Sequence, residues 1–160
     1  MEKLLYMRRK KLEIERKYLI ESDKLPIYYN KQPYHEIEQA YLCTEPVVRV
    51  RKSDDEYYLT YKSKGLMVRE EYNLPLTKEG YEHLLSKADG IIIKKKRYLI
   101  PYEAYTIELD IFEGKYEGLI LAEVEFQTEE MANQFTAPDW FGEDVTFSSK
   151  YHNSTLSQEN

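Results

Sequence analysis

The stretch Glu13-Ile14-Glu15-Arg16-Lys17 predicts a β-strand with two very different faces. Side chains alternate across a strand, so Glu13, Glu15 and Lys17 point one way and the apolar Ile14 points the other way. A surface strand with its charged face in water has the same pattern. The pattern recurs in the later strands of this chain, and that repetition favours a shared charged interior.

Eight segments show period-2 alternation or a bias toward β-branched and aromatic residues, which predicts an α+β domain that is mainly β. The predicted strands are 12–20, 37–43, 47–53, 57–63, 67–74, 92–100, 105–112 and 120–127. The predicted helices are 77–88, 129–135 and 147–157, and a single helical turn is predicted at 23–25.

The chain has 160 residues, which is enough for one domain with a core that needs no disulfides. We expect the domain to span 12–156, between a basic extension at 1–11 and a frayed tail at 157–160. The single Cys43 excludes an internal disulfide, and no apolar run is long enough for a transmembrane helix. These features predict a cytoplasmic protein without a membrane partner, and the net charge of -6 argues against nucleic-acid binding.

Charged residues of the predicted strands fall on the face shared with Glu13. The acids are Glu13, Glu15, Glu71, Glu108, Asp110, Glu123 and Glu125, and the bases are Lys17, Arg49, Arg51, Lys62, Arg69, Lys95 and Arg97. Either an open sheet turns this face to water, or the sheet curls around it into a barrel. Like charges two residues apart repel by about 2–4 kcal/mol where solvent is partly excluded. Repeated acceptance of that cost favours the curled sheet and a polyvalent ligand inside it.

A chamber that holds both signs of charge suits a polyvalent anion together with metal cations. Carboxylates without histidine or cysteine are typical ligands of Mg²⁺ or Mn²⁺, and the three histidines lack the spacing of a zinc site. Clustered arginine and lysine side chains suit phosphate oxygens. Two bound dications would balance the charge of a linear triphosphate.

Several segments also resemble one protein family, in the order in which that family has them. The residues Glu13 to Lys17 resemble its ExExK signature. The later segments are Val48-Arg49-Val50-Arg51, Tyr58-Leu59-Thr60-Tyr61-Lys62, Arg69-Glu70-Glu71-Tyr72, Lys95-Lys96-Arg97-Tyr98, Asp110-Ile111-Phe112-Glu113-Gly114 and Leu121-Ala122-Glu123-Val124-Glu125-Phe126. Over about 12–156 the chain is similar to the CYTH superfamily, the triphosphate tunnel metalloenzymes. Asn73 departs from the pattern, because relatives often have an acid there.

The resemblance implies an eight-stranded antiparallel closed tunnel barrel with a charged interior, helices packed outside, and a metal-dependent reaction at a triphosphate. The metal ligands that it implies are Glu13, Glu15, Glu125, Glu123 and Asp110, with the attacking water held by the metal at Glu13, Glu15 and Glu125. The phosphate-binding residues that it implies are Lys17, Arg49, Arg51, Lys62, Lys95 and Arg97, with Arg69 and Lys150 as weaker candidates. The implied supporting residues, which would orient these bases, are Glu71, Glu108 and Thr60.

The expected activity is hydrolysis of inorganic triphosphate to phosphate and pyrophosphate with Mg²⁺ or Mn²⁺. Nucleoside triphosphates are expected to be poorer substrates, since no segment is typical of a purine or thiazole pocket. A class IV adenylate cyclase and a thiamine triphosphatase would use the same cradle and stay open as alternatives. A polyphosphate- or nucleotide-binding module without turnover is the non-enzymatic alternative. The sequence does not predict the oligomeric state.

Overall fold

The computed structural model of the protein describes residues 11–159, so residues 1–10 of the predicted basic extension lie outside the described part of the chain. The described residues form eight strands. Their bounds are β1 Lys11–Leu19, β2 Tyr34–Thr44, β3 Val47–Ser53, β4 Glu56–Lys62, β5 Val68–Pro75, β6 Asp89–Tyr102, β7 Tyr105–Phe112 and β8 Ile120–Phe126. Every predicted strand is confirmed, and β2 and β6 are longer at both ends than predicted.

The strands close into an antiparallel barrel in the order β1-β5-β4-β3-β2-β6-β7-β8. The first strand completes the ring, because β1 pairs with β5 on one side and with β8 on the other. Glu13 lies opposite Arg69 in the first pairing, and Glu15 lies opposite Glu125 in the second. The predicted closed tunnel barrel is therefore confirmed. The open sheet is excluded, since each strand of the described chain has a neighbour on both sides.

Three α-helices accompany the barrel in the described residues. Their bounds are α1 Lys78–Leu85, α2 Glu129–Gln134 and α3 Asn153–Gln158, and 3₁₀ turns lie at Ser22–Lys24, Tyr29–Lys31, Gly114–Tyr116 and Ser149–Tyr151. Thr77 begins α1 by accepting a hydrogen bond from the Gly80 backbone N–H at 3.0 Å, which satisfies one of the free donors of the first turn. Within residues 11–159, no helix has the length and apolar character needed to cross a membrane.

The hydrophobic core lies outside the barrel wall. Leu109 of β7 and Val124 of β8 are fully buried on the outward face, where α2 packs over them through Ala132. On another side of the barrel, Tyr81 of α1 packs with Val50 of β3. An eight-stranded barrel has a lumen wide enough for side chains or one small ligand. In this barrel the lumen takes the charged faces, so the apolar faces need the helices to cover them.

The C-terminal segment closes one end of the barrel. Leu156 is buried against Phe112 and Leu121, and its carbonyl oxygen accepts a hydrogen bond from the Tyr116 hydroxyl at 2.7 Å. Gly90 at the start of β6 has a φ of 72°, and a Cβ there would lie 2.1 Å from the Ser157 carbonyl oxygen. Glycine is thus required where α3 approaches the barrel rim.

Two helix predictions differ from the structure. The helix predicted to reach residue 88 ends at Leu85, because the next residues form tighter bonds such as that from the Lys87 N–H to the Leu84 carbonyl. The helix predicted over 147–157 is broken at His152, which has an extended backbone with a ψ of 134°. At the C-terminus, α3 continues to Gln158 and Ser157 is fully buried. The helix α3 therefore includes Ser157 and Gln158 of the segment predicted as a tail.

Candidate active site

Inward-facing side chains from all eight strands surround a cavity of about 140 Å³, called the tunnel cavity below. Three residues that precede or begin α3 complete its lining at one end: His152, Asn153 and Ser154. Charges of both signs occupy this one small space. Their interactions are only weakly screened, because little solvent separates them.

Most of the predicted site residues line the tunnel cavity. The predicted metal ligands in its lining are Glu13, Glu15, Glu123 and Glu125. The predicted phosphate-binding residues in its lining are Lys17, Arg49, Arg51, Lys62, Arg69 and Arg97. The predicted supporting residues in its lining are Glu71 and Glu108. The predicted residues outside its lining are Asp110, Lys95, Thr60 and Lys150.

Four carboxylates on two neighbouring strands lie across the lumen from two arginines, while Lys17, Lys62 and Arg69 lie among the acids. Strands β1 and β8 are neighbours, and β3 lies four strands from β8 in the closed ring of eight, which places it across the lumen. The acidic wall on β1 and β8 consists of Glu13, Glu15, Glu123 and Glu125. The basic wall on β3 consists of Arg49 and Arg51. A ligand in the lumen can therefore meet carboxylates on one side and guanidinium groups on the other.

The basic wall has more positive charge than its surroundings neutralise. Arg49 is 6% exposed; one terminal nitrogen donates to the Thr60 hydroxyl at 3.2 Å, but its Nε has no hydrogen-bond partner among the described residues. Arg51 donates to Gln39 Oε1 at 2.6 and 2.9 Å, and burial followed by the nearby Arg49 and Arg97 lowers the pKa of Arg51 to about 9. A buried, unpaired guanidinium donor is costly. An anion in the cavity would remove that cost.

The carboxylates of the acidic wall are not alike: Glu123 is paired with Lys17 at 3.4 Å and with Arg97 at 3.2 Å, whereas Glu13 and Glu15 have raised pKa values. Lys62 lies 2.9 Å from Glu13 and 3.3 Å from Glu71, so one ammonium group serves two carboxylates. Burial, followed by repulsion from Glu15, raises the pKa of Glu13 to about 8. Burial and the Glu123 carboxylate likewise raise the pKa of Glu15. These carboxylates would be stabilised in their ionised form by an added cation.

The acidic wall offers the oxygen donors that hard divalent cations prefer. Glu15 and Glu125 are directly opposed residues of β1 and β8, and they project into the same lumen. Within residues 11–159, however, no group of three histidine, cysteine, aspartate or glutamate side chains is already arranged to hold a metal ion. The wall thus fits a divalent cation in charge and ligand type. The carboxylate side chains of this wall would have to change rotamer to coordinate a cation together.

Asp110 and Lys95 form a buried network beside the cavity, and both were predicted to contact metal or phosphate. Asp110 is fully buried, and its oxygens accept from Lys95 at 2.7 Å and from Arg97 at 2.7 and 2.8 Å. Burial would raise the pKa of Asp110, but Arg97 and Lys95 hold it below its usual value. Arg97 also contacts Glu108 at 2.5 Å and Glu123 at 3.2 Å. The geometry makes Asp110 an anchor that aims Arg97 into the lumen.

Replacing Asp110 with Asn should lower the free energy of unfolding by about 3–5 kcal/mol, because it leaves two buried cations without their shared counter-ion. Urea unfolding in the absence of divalent cations measures this cost. The exposed Asp139→Asn is the matched control and should change stability by less than about 0.5 kcal/mol. A cost below about 1 kcal/mol for Asp110→Asn would contradict the anchoring role and favour the metal-ligand role.

Of the two remaining predicted residues, Thr60 supports the site and Lys150 lies outside it. Thr60 is fully buried behind Arg49, and its hydroxyl donates to Asn73 Oδ1 at 2.6 Å, while Asn73 Nδ2 donates to Glu71 at 2.8 Å. Asn73, where the resemblance led us to expect an acid, thus links Thr60 to Glu71. Lys150 is exposed and lies over the Tyr151 ring, 5.4 Å from its centroid, outside the tunnel cavity.

The structure adds site residues to which no role was assigned from the sequence. Lys17 Nζ donates to the Tyr151 carbonyl at 3.2 Å, and Lys95 Nζ donates to Asn153 Oδ1 at 3.2 Å, which ties the C-terminal segment to two bases. Burial and then Lys17 lower the pKa of His152 to about 4, so this lining residue is neutral at physiological pH. Tyr41 of β2 also lines the cavity, and its hydroxyl accepts a hydrogen bond from Gln39 at 3.1 Å.

Comparison with known proteins identifies the family to which a barrel with this charged lumen belongs. The model of the CYTH domain matches residues 11–160. The chain belongs to the CYTH family. The resemblance predicted from the motifs is thereby confirmed over nearly the whole chain.

Two curated relatives of this CYTH protein are inorganic triphosphatases. That of Nitrosomonas europaea is 35% identical over 151 residues, which cover 90% of this chain and 95% of the relative. That of Acetivibrio thermocellus is 36% identical over 151 residues, which cover 90% of this chain and 92% of the relative. A crystal structure of an inorganic triphosphatase aligns with a TM-score of 0.68 at 33% identity, covering 92% of this chain and 95% of that chain.

Proposed function

We propose that this CYTH protein is a divalent-metal-dependent hydrolase that cleaves inorganic triphosphate to phosphate and pyrophosphate. The observation that carries the proposal is the buried, unpaired Nε of Arg49 in a basic wall that faces carboxylates across the lumen. The names of the two relatives support the same substrate. Nucleoside triphosphates are proposed as poorer substrates. The proposed location is the cytoplasm, because the single cysteine, Cys43, is a free thiol and free thiols suit a reducing compartment.

The proposed cofactor is Mg²⁺ or Mn²⁺, held by Glu13, Glu15 and Glu125 with Glu123 beside them. The raised pKa values of Glu13 and Glu15, which come first from burial and then from neighbouring carboxylates, support a cation there. Such a cation, when bound, supplies positive charge to phosphoryl oxygens and makes water in its shell more acidic.

The protein's own residues bind and orient the triphosphate. Arg49 and Arg51 donate to phosphoryl oxygens from the basic wall, with the forked geometry that guanidinium groups offer to phosphates. Arg97, aimed by Asp110, stabilises charge that develops on the bridging oxygen as it leaves. Water attacks the terminal phosphorus, the bond from that phosphorus to the bridging oxygen breaks, and phosphate and pyrophosphate depart.

A substrate panel with product analysis tests this proposal. Phosphate release from tripolyphosphate, ATP and thiamine triphosphate is measured at equal concentrations with Mg²⁺ and with a chelator. The expected result is metal-dependent release that is fastest from tripolyphosphate. A large preference for either organic substrate would overturn the choice of substrate. Cyclic AMP plus pyrophosphate from ATP would identify a cyclase, and tight binding without turnover would identify a binding module.

Mg²⁺ and Mn²⁺ should support turnover of tripolyphosphate, and Ca²⁺ should support less than about a tenth of their rate. The larger and looser coordination shell of Ca²⁺ positions water less accurately than the octahedral shell of Mg²⁺. Initial rates at saturating concentrations of each cation measure the difference. Ca²⁺ added to the Mg²⁺ enzyme serves as the control and should inhibit, which would show that it enters the site. Equal rates with Ca²⁺ and Mg²⁺ would contradict a tightly positioned water.

A further inference from the structure

The two arginines of the basic wall are held by neutral groups, unlike the other bases of the tunnel cavity. Arg49 donates to the Thr60 hydroxyl at 3.2 Å, and Arg51 donates to the side-chain oxygen of Gln39 at 2.6 and 2.9 Å. Within residues 11–159, neither arginine forms an ion pair with a carboxylate. The cavity-lining bases that do form one are Lys17, Lys62, Arg69 and Arg97.

Gln39 is fully buried on β2, directly opposite Arg51 of β3, and both ends of its amide are used. Its Oε1 accepts from the Nε and from one terminal nitrogen of Arg51, while its Nε2 donates to the Tyr41 hydroxyl at 3.1 Å. The bond to Tyr41 keeps the amide oxygen turned toward Arg51. Two bonds to that oxygen orient the guanidinium group and leave its other terminal nitrogen for a ligand.

An amide at this place has a different effect from that of a carboxylate. Buried arginines are usually paired with an acid, which neutralises their charge. Burial, followed by Arg49 and Arg97, lowers the pKa of Arg51 to about 9, so a carboxylate at position 39 would stabilise the protonated guanidinium group. The amide of Gln39 accepts the same hydrogen bonds without adding negative charge. Arg51 is therefore aimed but not neutralised.

We propose that Gln39 is a positioning residue of the proposed hydrolysis, which aims the Arg51 guanidinium group at a phosphoryl oxygen and leaves its charge to the substrate. Arg51 lines the tunnel cavity whereas Gln39 lies behind that lining, so Gln39 acts through Arg51. The inference rests on the proposed function, because tripolyphosphate in the lumen is the partner to which this charge is left. A merely structural amide would only satisfy the buried polar groups of Arg51 and Tyr41.

Two replacements of Gln39 separate these roles, because they rank in opposite order. Gln39→Glu keeps the acceptor but pairs Arg51 with a charge, so kcat/KM for tripolyphosphate should fall about tenfold, mainly through a higher KM. Gln39→Met removes the acceptor but adds no charge, so kcat/KM should fall only about threefold. The urea midpoint of unfolding should be unchanged or higher in Gln39→Glu and lower in Gln39→Met, which leaves buried donors unpaired. A structural amide predicts the larger loss of activity in Gln39→Met.

A double-variant cycle with Arg51→Gln shows whether Gln39 acts through that arginine. In the Arg51→Gln background, Gln39→Glu should change kcat/KM by less than about twofold, because the charge that it neutralises is already gone. The matched control is Gln134→Glu on the exposed side of α2, which should leave kcat/KM of the wild type within about twofold. A loss in Gln39→Glu that adds fully to that of Arg51→Gln would overturn the positioning role.

Calorimetric titration with tripolyphosphate in the absence of divalent cations gives a readout that does not depend on turnover. Gln39→Glu should bind about tenfold more weakly than the wild type. Equal affinities, or a Gln39→Glu variant that is less stable than the wild type or does not fold, would overturn the role of Gln39 and leave triphosphate hydrolysis intact. A wild type that binds tripolyphosphate without hydrolysing it would overturn the proposed function, and the two affinities would still test Gln39. A wild type that does not bind tripolyphosphate would overturn both.

Discussion

Replacing Glu15 with Gln should lower kcat for inorganic triphosphate by about 10³-fold, with tripolyphosphate still bound. Removing one preorganised hydrogen-bond donor that stabilises developing charge typically costs about 10²–10³ in rate, and loss of a charged ligand of the cation should weaken the same kind of stabilisation. Glu15 lies at the centre of the acidic wall, opposite Glu125 on β8, and would supply a charged ligand to the cation. The Gln side chain keeps the size of Glu but removes its charge. Steady-state phosphate release gives the rate, and calorimetric titration gives the affinity.

The matched control for this change is Glu82→Gln on the exposed face of α1, which should leave kcat within about twofold. Glu15→Gln should not lower stability, because burial and Glu123 already disfavour the ionised Glu15 carboxylate. Unchanged turnover in Glu15→Gln would remove this residue from the cation site. Loss of tripolyphosphate binding together with turnover would instead indicate that the acidic wall positions the substrate directly.

Replacing Arg49 with Gln should lower kcat/KM for inorganic triphosphate by about 10²-fold, without a loss of stability. The guanidinium group provides the unpaired buried donor that the proposal assigns to a phosphoryl oxygen. Removing a charged partner of a phosphate weakens both binding and stabilisation of the transition state. Stability should be maintained, because burial and then repulsion from Arg49 lower the pKa of Arg51, and the change relieves that repulsion. Initial rates and urea unfolding measure the two effects.

Two further variants show whether the charge or the shape of Arg49 matters. Arg49→Lys keeps the charge but loses the fork, so it should recover only part of the activity. Lys52→Gln changes a later residue of β3, on the outer face of the barrel, and should leave kcat/KM within about twofold. If Arg49→Gln lowered stability and left kcat/KM unchanged, Arg49 would be a structural residue and the basic wall would lose its proposed role.

The sequence was sufficient to predict which side chains of a strand share a face, because strand geometry alone determines this. In β3, the alternation of Val48 and Val50 with Arg49 and Arg51 fixes which side chains share a face. The repetition of charged faces in seven of the eight predicted strands then favours a curled sheet over an open one. The structure confirms the closed barrel, with Val50 buried in the outer core and both arginines in the lumen.

The pairing of charges inside the barrel could not be predicted in the same way. Alternation gives the face of Asp110 but not its depth or its neighbours, which depend on the register between β6 and β7. In the structure Arg97 lies directly opposite Asp110, and Lys95 reaches the same carboxylate from one pleat further along. Asp110 is thereby enclosed between two cations. A register shift of two residues would keep Asp110 on the same face but place it opposite another residue of β6.

The closure of the barrel by the C-terminal segment also depends on long-range contacts. The periodicity of residues 147–157 predicted a continuous helix, whereas the extended backbone of His152 turns the chain so that Asn153 reaches Lys95. That hydrogen bond joins residues 58 positions apart. Local patterns contain no information about such a partner. The longer ends of β2 and β6 have a similar cause, since exposed residues such as His35 are held in β2 by pairing with Arg97 of β6.

A crystal structure of the Glu15→Gln variant with tripolyphosphate tests the central claim most directly, because that claim is that a triphosphate lies between the acidic and the basic wall. We predict phosphoryl oxygens within about 3 Å of Arg49 and Arg51, with Arg49 Nε donating to one of them. Tripolyphosphate bound only to exterior bases such as Lys94 and Lys96, with the lumen free of it, would contradict the account.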